Sequence, residues 1–178
     1  MNAGFAKQGN LEMILSKFLK SRNFTKQSAI YFNEEYIWVI TESGDMVYMP
    51  DFDGERFRLD LQCSDEDLGV CVLSALQKSR KIRFELSRSL IENCKSWDAE
   101  QVKILGYKSL RRMYKNMIRV SVQLRNNHLY FTPRRHVKLQ AWEGFSDEFV
   151  GHEPEVISKF QPPAMIGAAA RQAFLRCA

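Results

Sequence analysis

Two short apolar runs, SAIYF and YIWVIT, flank Asn33-Glu34-Glu35 and predict a β-hairpin over Ala29 to Thr41. Alternation along it is mixed: Ile30, Phe32, Trp38 and Ile40 fall at period two, while Tyr31 and Tyr36 are amphipathic. Ser43-Gly44-Asp45 signals a second turn, leading to a third strand from Met46 to Met49. Pro50 to Gly54 reads as a loop and Phe57 to Leu61 as a fourth strand. The pattern then changes to helical spacing. Leu68, Val72, Ala75 and Leu76 make one stripe, Ser64 is the candidate N-cap, and Asp65, Glu66 and Asp67 occupy the first turn. Lys78 and Arg80 are expected in the last turn, where they complement the helix dipole. Upstream, Leu11, Ile14, Leu15 and Phe18 predict a short amphipathic helix.

Residues 82–117 read as mostly helical. Phe84, Leu86, Leu90 and Ile91 form one patchy amphipathic stretch, and a second helix starts near Trp97-Asp98 and is interrupted at Gly106. A basic helix from Lys108 to Asn116 turns Leu110, Met113 and Tyr114 inward. Strands follow at Ile118 to Leu124 and His128 to Thr132, joined by Arg125-Asn126-Asn127, a turn suited to positive φ. Pro133 is expected to end that strand. Val137 to Trp142 is a candidate further strand, Glu143 to Glu155 a loop, and Pro163 to Arg176 a closing helix entered through Pro162-Pro163.

The hairpin-and-helix pattern occurs twice. Ile30, Phe32, Ile37, Trp38 and Val39 fall on Val122, Leu124, Leu129, Tyr130 and Phe131. In the helices, Leu68-Gly69 matches Ile166-Gly167, Ala75 matches Ala173 and Leu76 matches Phe174. The expectation is an α+β fold in one domain spanning 1–178. It has two pseudo-symmetric antiparallel repeats at about 28–80 and 120–177, each closed by a helix, and a helical linker over 82–117.

Length and charge refine this picture. A chain of 178 residues can bury a full core. No apolar run approaches the ~20 residues of a membrane helix, and the first residues lack the apolar stretch of an export signal, so the cytoplasm is the expected location. Charge is segregated. From Asn33 to Asp67 eleven acids face two bases, a balance of −9; from Val102 to Ala141 ten bases stand with no acid. This predicts a strong dipole that favours oriented association with a charged macromolecule. Two solvated faces attracting each other are the alternative.

Catalytic patterns are missing. His128, His136 and His152 are scattered outside any nucleophile arrangement, and no glycine-rich phosphate loop exists. Asp51 and Asp53 match only a fragment of a calcium loop. Cys63, Cys71, Cys94 and Cys177 lack metal spacing and are expected to remain thiols. A non-enzymatic chain without cofactor or metal is therefore expected. The bases from Lys108 to Lys138 interleave with Tyr114, Tyr130 and Phe131, a composition compatible with a single-strand nucleic-acid surface.

Four segments narrow the choice: GYKSLRRMYKNM at Gly106 to Met117, H-x-K-L-x-A-W-x-G at His136 to Gly144, DEDLG at Asp65 to Gly69, and IGAAARQAFLRC at Ile166 to Cys177. With the hairpin spacing, they resemble the immunity proteins of bacterial contact-dependent growth inhibition systems, from about Ser28 to the C-terminus. The resemblance implies a small cytoplasmic protein with a Whirly-like fold, which binds the toxic C-terminal domain of a matching effector, commonly a nuclease and often one acting on transfer RNA. It assigns no toxin-contacting residue. Arg135 before His136 and the long loop from Glu143 depart from the family pattern. Charge suggests the contact: nuclease sites are basic because they hold phosphates, so Glu42, Asp45, Asp51, Asp53 and Glu55, with Phe52 as an apolar anchor, are the candidate toxin-binding residues in a 1:1 complex. The alternative, a Whirly-like single-strand binder, would use Arg111, Arg112, Lys115, Arg134 and Arg135.

Overall fold

A computed structural model describes residues 24–45, 47–82, 96–138, 141–144 and 153–177. The expected N-terminal helix, the stretch around Phe84 to Ile91, and most of the loop after Glu143 lie outside the described residues.

Among the described residues, eight strands form one sheet: β1 (Lys26–Phe32), β2 (Tyr36–Gly44), β3 (Tyr48–Pro50), β4 (Arg56–Asp60), β5 (Ile118–Arg125), β6 (His128–Lys138), β7 (Ala141–Glu143) and β8 (Glu155–Ser158). Helix α1 is Asp65–Lys78, residues 96–104 form helix α2, α3 is Leu110–Tyr114 and α4 is Pro163–Phe174. The path runs β3-β2-β1-β5-β6-β7, with β4 on β2 and β8 on β6, and every pairing is antiparallel.

Both faces of the central strands are buried, which explains the mixed alternation in the hairpin. Ile30, Ile37, Val39, Val120, Val122, Leu129 and Phe131 pack under α1 and α4. Ala29, Tyr31, Tyr36, Trp38 and Ile40 face the other way, against Trp97, Leu105, Met113, Tyr114 and Met117. Ile30 and Phe32 therefore lie on one face of the sheet, and Trp38 and Ile40 on the other. A strand covered on both sides has no polar face to set its phase.

The two hairpins share one register. Ile30 pairs with Val39, and 92 residues on Val122 pairs with Phe131. Trp38 lies between Tyr31 and Arg58, Tyr130 between Gln123 and Val156. The β8 strand, which sequence patterning missed, pairs with β6 through Ile157 and Leu129, as β4 pairs with β2 through Leu59 and Ile37.

The closing helices cross at two glycines. A Cβ on Gly69 would lie 1.9 Å from the Pro163 carbonyl oxygen, and one on Gly167 would lie 1.9 Å from that of Asp65. Arg171 adds a clamp: its Nε donates to Asp65 at 2.7 Å and its terminal nitrogen to the Cys63 carbonyl. Ser64 caps α1, its hydroxyl accepting from the Asp67 amide at 3.0 Å. Pro133 does not end its strand; β6 continues to Lys138. The proline falls between the residues that pair with β8 and those that pair with β7, so its missing N–H interrupts neither outer ladder.

Candidate interaction surfaces

The quoted motifs are packing devices. In GYKSLRRMYKNM, Gly106 takes φ 76, Ser109 caps α3, and Met113, Tyr114 and Met117 are buried. In the segment ending A-W-x-G, His136 stacks on Trp142, ring centroids 4.8 Å apart, and Trp142 meets Tyr31 and Tyr114 edge-on. Tyr31, Tyr114 and Trp142 line a cleft of about 250 Å³ whose walls also include Trp38, Trp97 and Arg119. Cys63, Cys71 and Cys177 are free thiols; Cys94 lies outside the described residues. Among the described residues no cluster of His, Cys, Asp or Glu could hold a metal ion, and no helix is long and apolar enough to cross a membrane.

The acidic candidates divide by burial. Glu42 is 2% exposed and pairs with Arg119 at 2.6 Å. Asp51 is 1% exposed and organises its loop. Its carboxylate accepts from Arg80 Nε and Nη2, each at 2.8 Å, from the Ser43 hydroxyl at 2.6 Å and from the Asp53 amide at 3.0 Å. Burial alone would raise the Asp51 carboxyl, but the bonds from Arg80, Ser43 and the Asp53 amide together hold it below its ordinary value. Asp53 stays at the surface and pairs with Arg80 at 2.6 Å; Asp45 pairs with Lys81 at 3.2 Å. Phe52 packs edge-on against Trp97 at 4.9 Å. Glu55 is half-buried, its amide donating to Thr41. Four of the five acidic candidates are thus paired with the chain's own bases, and those bases, Arg80, Lys81 and Arg119, all lie outside the stretch from Asn33 to Asp67.

The basic candidates also divide. Arg134 is half-buried beside Arg119, and its Nε donates to Ser121 at 3.1 Å. Burial, then the like charge of Arg119, pushes its guanidinium below the usual range. Arg135 pairs with Glu143. Arg111, Arg112 and Lys115 are exposed on or beside α3, where they line a groove of about 550 Å³. Its other wall is the β1–β2 turn with Glu34 and Glu35. Tyr107 joins the walls: Asn33 Nδ2 donates to its hydroxyl at 3.1 Å, and that hydroxyl donates to Glu35 at 2.9 Å. Sequence reading placed the bases but missed Glu34, Glu35 and Tyr107, because 72 residues separate Tyr107 from Glu35 and no local pattern joins them.

A two-sided antiparallel sheet closed by crossed helices, with paired charge and a surface groove, defines an α+β protein with a scaffold built for contact. The family model for the CDI immunity protein matches residues 26–177, and the chain belongs to that family. Immunity protein CdiI-YPIII of Yersinia pseudotuberculosis serotype O:3 (strain YPIII) is 28% identical, over 84% of this chain and 94% of that protein. A solved toxin and immunity complex, CdiA-CT/CdiI from Yersinia pseudotuberculosis, contains a chain similar at TM-score 0.78 and 26% identity, covering 88% of this chain and 99% of that one. A protein of unknown function from Neisseria meningitidis is similar at TM-score 0.77 and 30% identity, covering 89% and 98%.

Proposed function

We propose that this chain is a cytoplasmic, non-enzymatic inhibitor that binds and neutralises the C-terminal toxin domain of a contact-dependent growth inhibition effector. The family match across residues 26–177 carries the reading. The similarity to a chain of a toxin and immunity complex supports it. We further propose that the toxin is a nuclease, tested first as one acting on transfer RNA, the class implied by the family resemblance. The chain itself is read as two copies of a Whirly-like unit, β1–β4 with α1 and β5–β8 with α4. The shared hairpin register and the reciprocal glycine contacts support that duplication.

Inducing the toxin domain of the matching effector in a bacterium should arrest growth, and co-producing this chain should restore it. The two should elute together at 1:1. Continued arrest in the presence of soluble chain would overturn the reading. Transfer RNA from the arrested cells should be cleaved; intact transfer RNA would remove that substrate, and intact DNA and ribosomal RNA beside it would remove the nuclease assignment.

A further inference from the structure

The groove between the β1–β2 turn and α3 combines concavity, bridged walls and three bases without an ion pair. Among the described residues Arg111, Arg112 and Lys115 have no ion pair, whereas Glu42, Asp45, Asp51 and Asp53 each have one. These three bases therefore bring charge without an ion pair to the surface of one concave site. The Asn33–Tyr107–Glu35 hydrogen bonds tie the walls before anything binds, so less ordering is required on association. The turn is braced from within: Asn33 Oδ1 accepts from the amides of Glu35 and Tyr36 at 2.9 and 3.0 Å. Tyrosine and arginine are also the side chains that most often anchor protein contacts.

We infer that this groove is the toxin-gripping surface and that it takes an acidic segment of the toxin domain, held by Arg111, Arg112 and Lys115. The inference rests on the neutralising function proposed above. Charge complementarity selects the occupant. A nucleic-acid strand is disfavoured because Glu34 and Glu35 form one wall and would repel phosphates. Tyr107 is the one aromatic among the lining residues, and its hydroxyl is already tied to Glu35; a strand-binding groove needs open rings for stacking. A protein segment tolerates the mixed walls, since its own basic or polar groups can meet Glu34. For a nuclease, whose phosphate-holding cleft is basic, the grip lies beside that cleft, and inhibition follows from steric cover.

The test uses the full chain and the toxin domain of the matching effector immobilised on a sensor. Arg111→Glu with Arg112→Glu should lower the association rate about tenfold or more at low salt, with a smaller difference at moderate salt. Arg111→Gln with Arg112→Gln should lose less. Tyr107→Phe should mainly speed dissociation, because the walls lose their bridge while the charge remains. Circular dichroism confirms that each variant is folded. Asp53→Lys is the comparison and should bind like the parent chain. No binding by the parent chain would sink the neutralising function itself. Binding by the parent with unchanged rates in both arginine variants would overturn the groove alone. Salt-sensitive binding of a short single-stranded RNA, lost in the Glu variants while toxin binding persists, would assign the groove to nucleic acid and overturn the inference.

Discussion

At the residue scale, Asp51 is a loop-organising carboxylate. It gathers Arg80, Ser43 and the Asp53 amide around a site that is 1% exposed. Its folded pKa lies below the ordinary aspartate value of about 3.9. The sign follows from linkage: the folded state binds fewer protons here than the unfolded chain, so this stability is fully present above the unfolded pKa. It is lost as pH falls through the folded value. Asp51→Asn should therefore be less stable than the parent at neutral pH, and the two curves should converge below about pH 4. Denaturant midpoints measured across pH check this; parallel curves would show that Asp51 contributes nothing through its charge. Glu42 makes a second test. Glu42→Gln leaves the part-buried Arg119, 17% exposed, without its counter-ion and should cost up to about 3 kcal/mol, read from chemical denaturation.

At the element scale, the crossing of α1 and α4 depends on absent side chains. Gly69→Ala and Gly167→Ala each drive a methyl into a backbone carbonyl that cannot rotate away. Each should destabilise by about 1–3 kcal/mol or more, and to a similar degree, since the two contacts are reciprocal. Thermal and denaturant unfolding of the two variants would check it; a silent variant means the helices can slide apart without loss. The sequence made these helices legible because Ser64, the acidic first turn and the Leu68-Val72-Ala75-Leu76 stripe act locally. Pro162-Pro163 marks the second start equally clearly. The hairpin turns were legible for the same reason, and Asn126 and Asn127 adopt φ 47 and 64. Strand β8 was not legible: its four residues carry no period of their own and are defined by pairing with β6. The groove was half legible, its bases clustering within one short helix while its acidic wall comes from a distant turn.

At the scale of the whole molecule, the segregation of charge along the chain reads as a dipole, but folding brings opposing charges together. Arg80 meets Asp51 and Asp53, Lys81 meets Asp45, Arg119 meets Glu42, Arg171 meets Asp65 and Arg176 meets Glu155. The acid-rich loop is therefore part of the scaffold before it can be a partner surface. Reversing Asp51 and Asp53 together to lysine puts a cation into a buried carboxylate site beside Arg80, and should cost about 3–5 kcal/mol or more. Reversing Asp53 alone breaks a surface pair, 78% exposed at the aspartate, and should cost no more than about 1 kcal/mol. Thermal unfolding of both variants, with toxin-domain capture in parallel, separates the two roles. Lost capture that follows lost folding, in the double variant only, marks the loop as scaffold. A double variant that stays folded but loses capture, or a folded Asp53→Lys that binds slowly, would return the toxin contact to the acidic loop and displace the groove on α3.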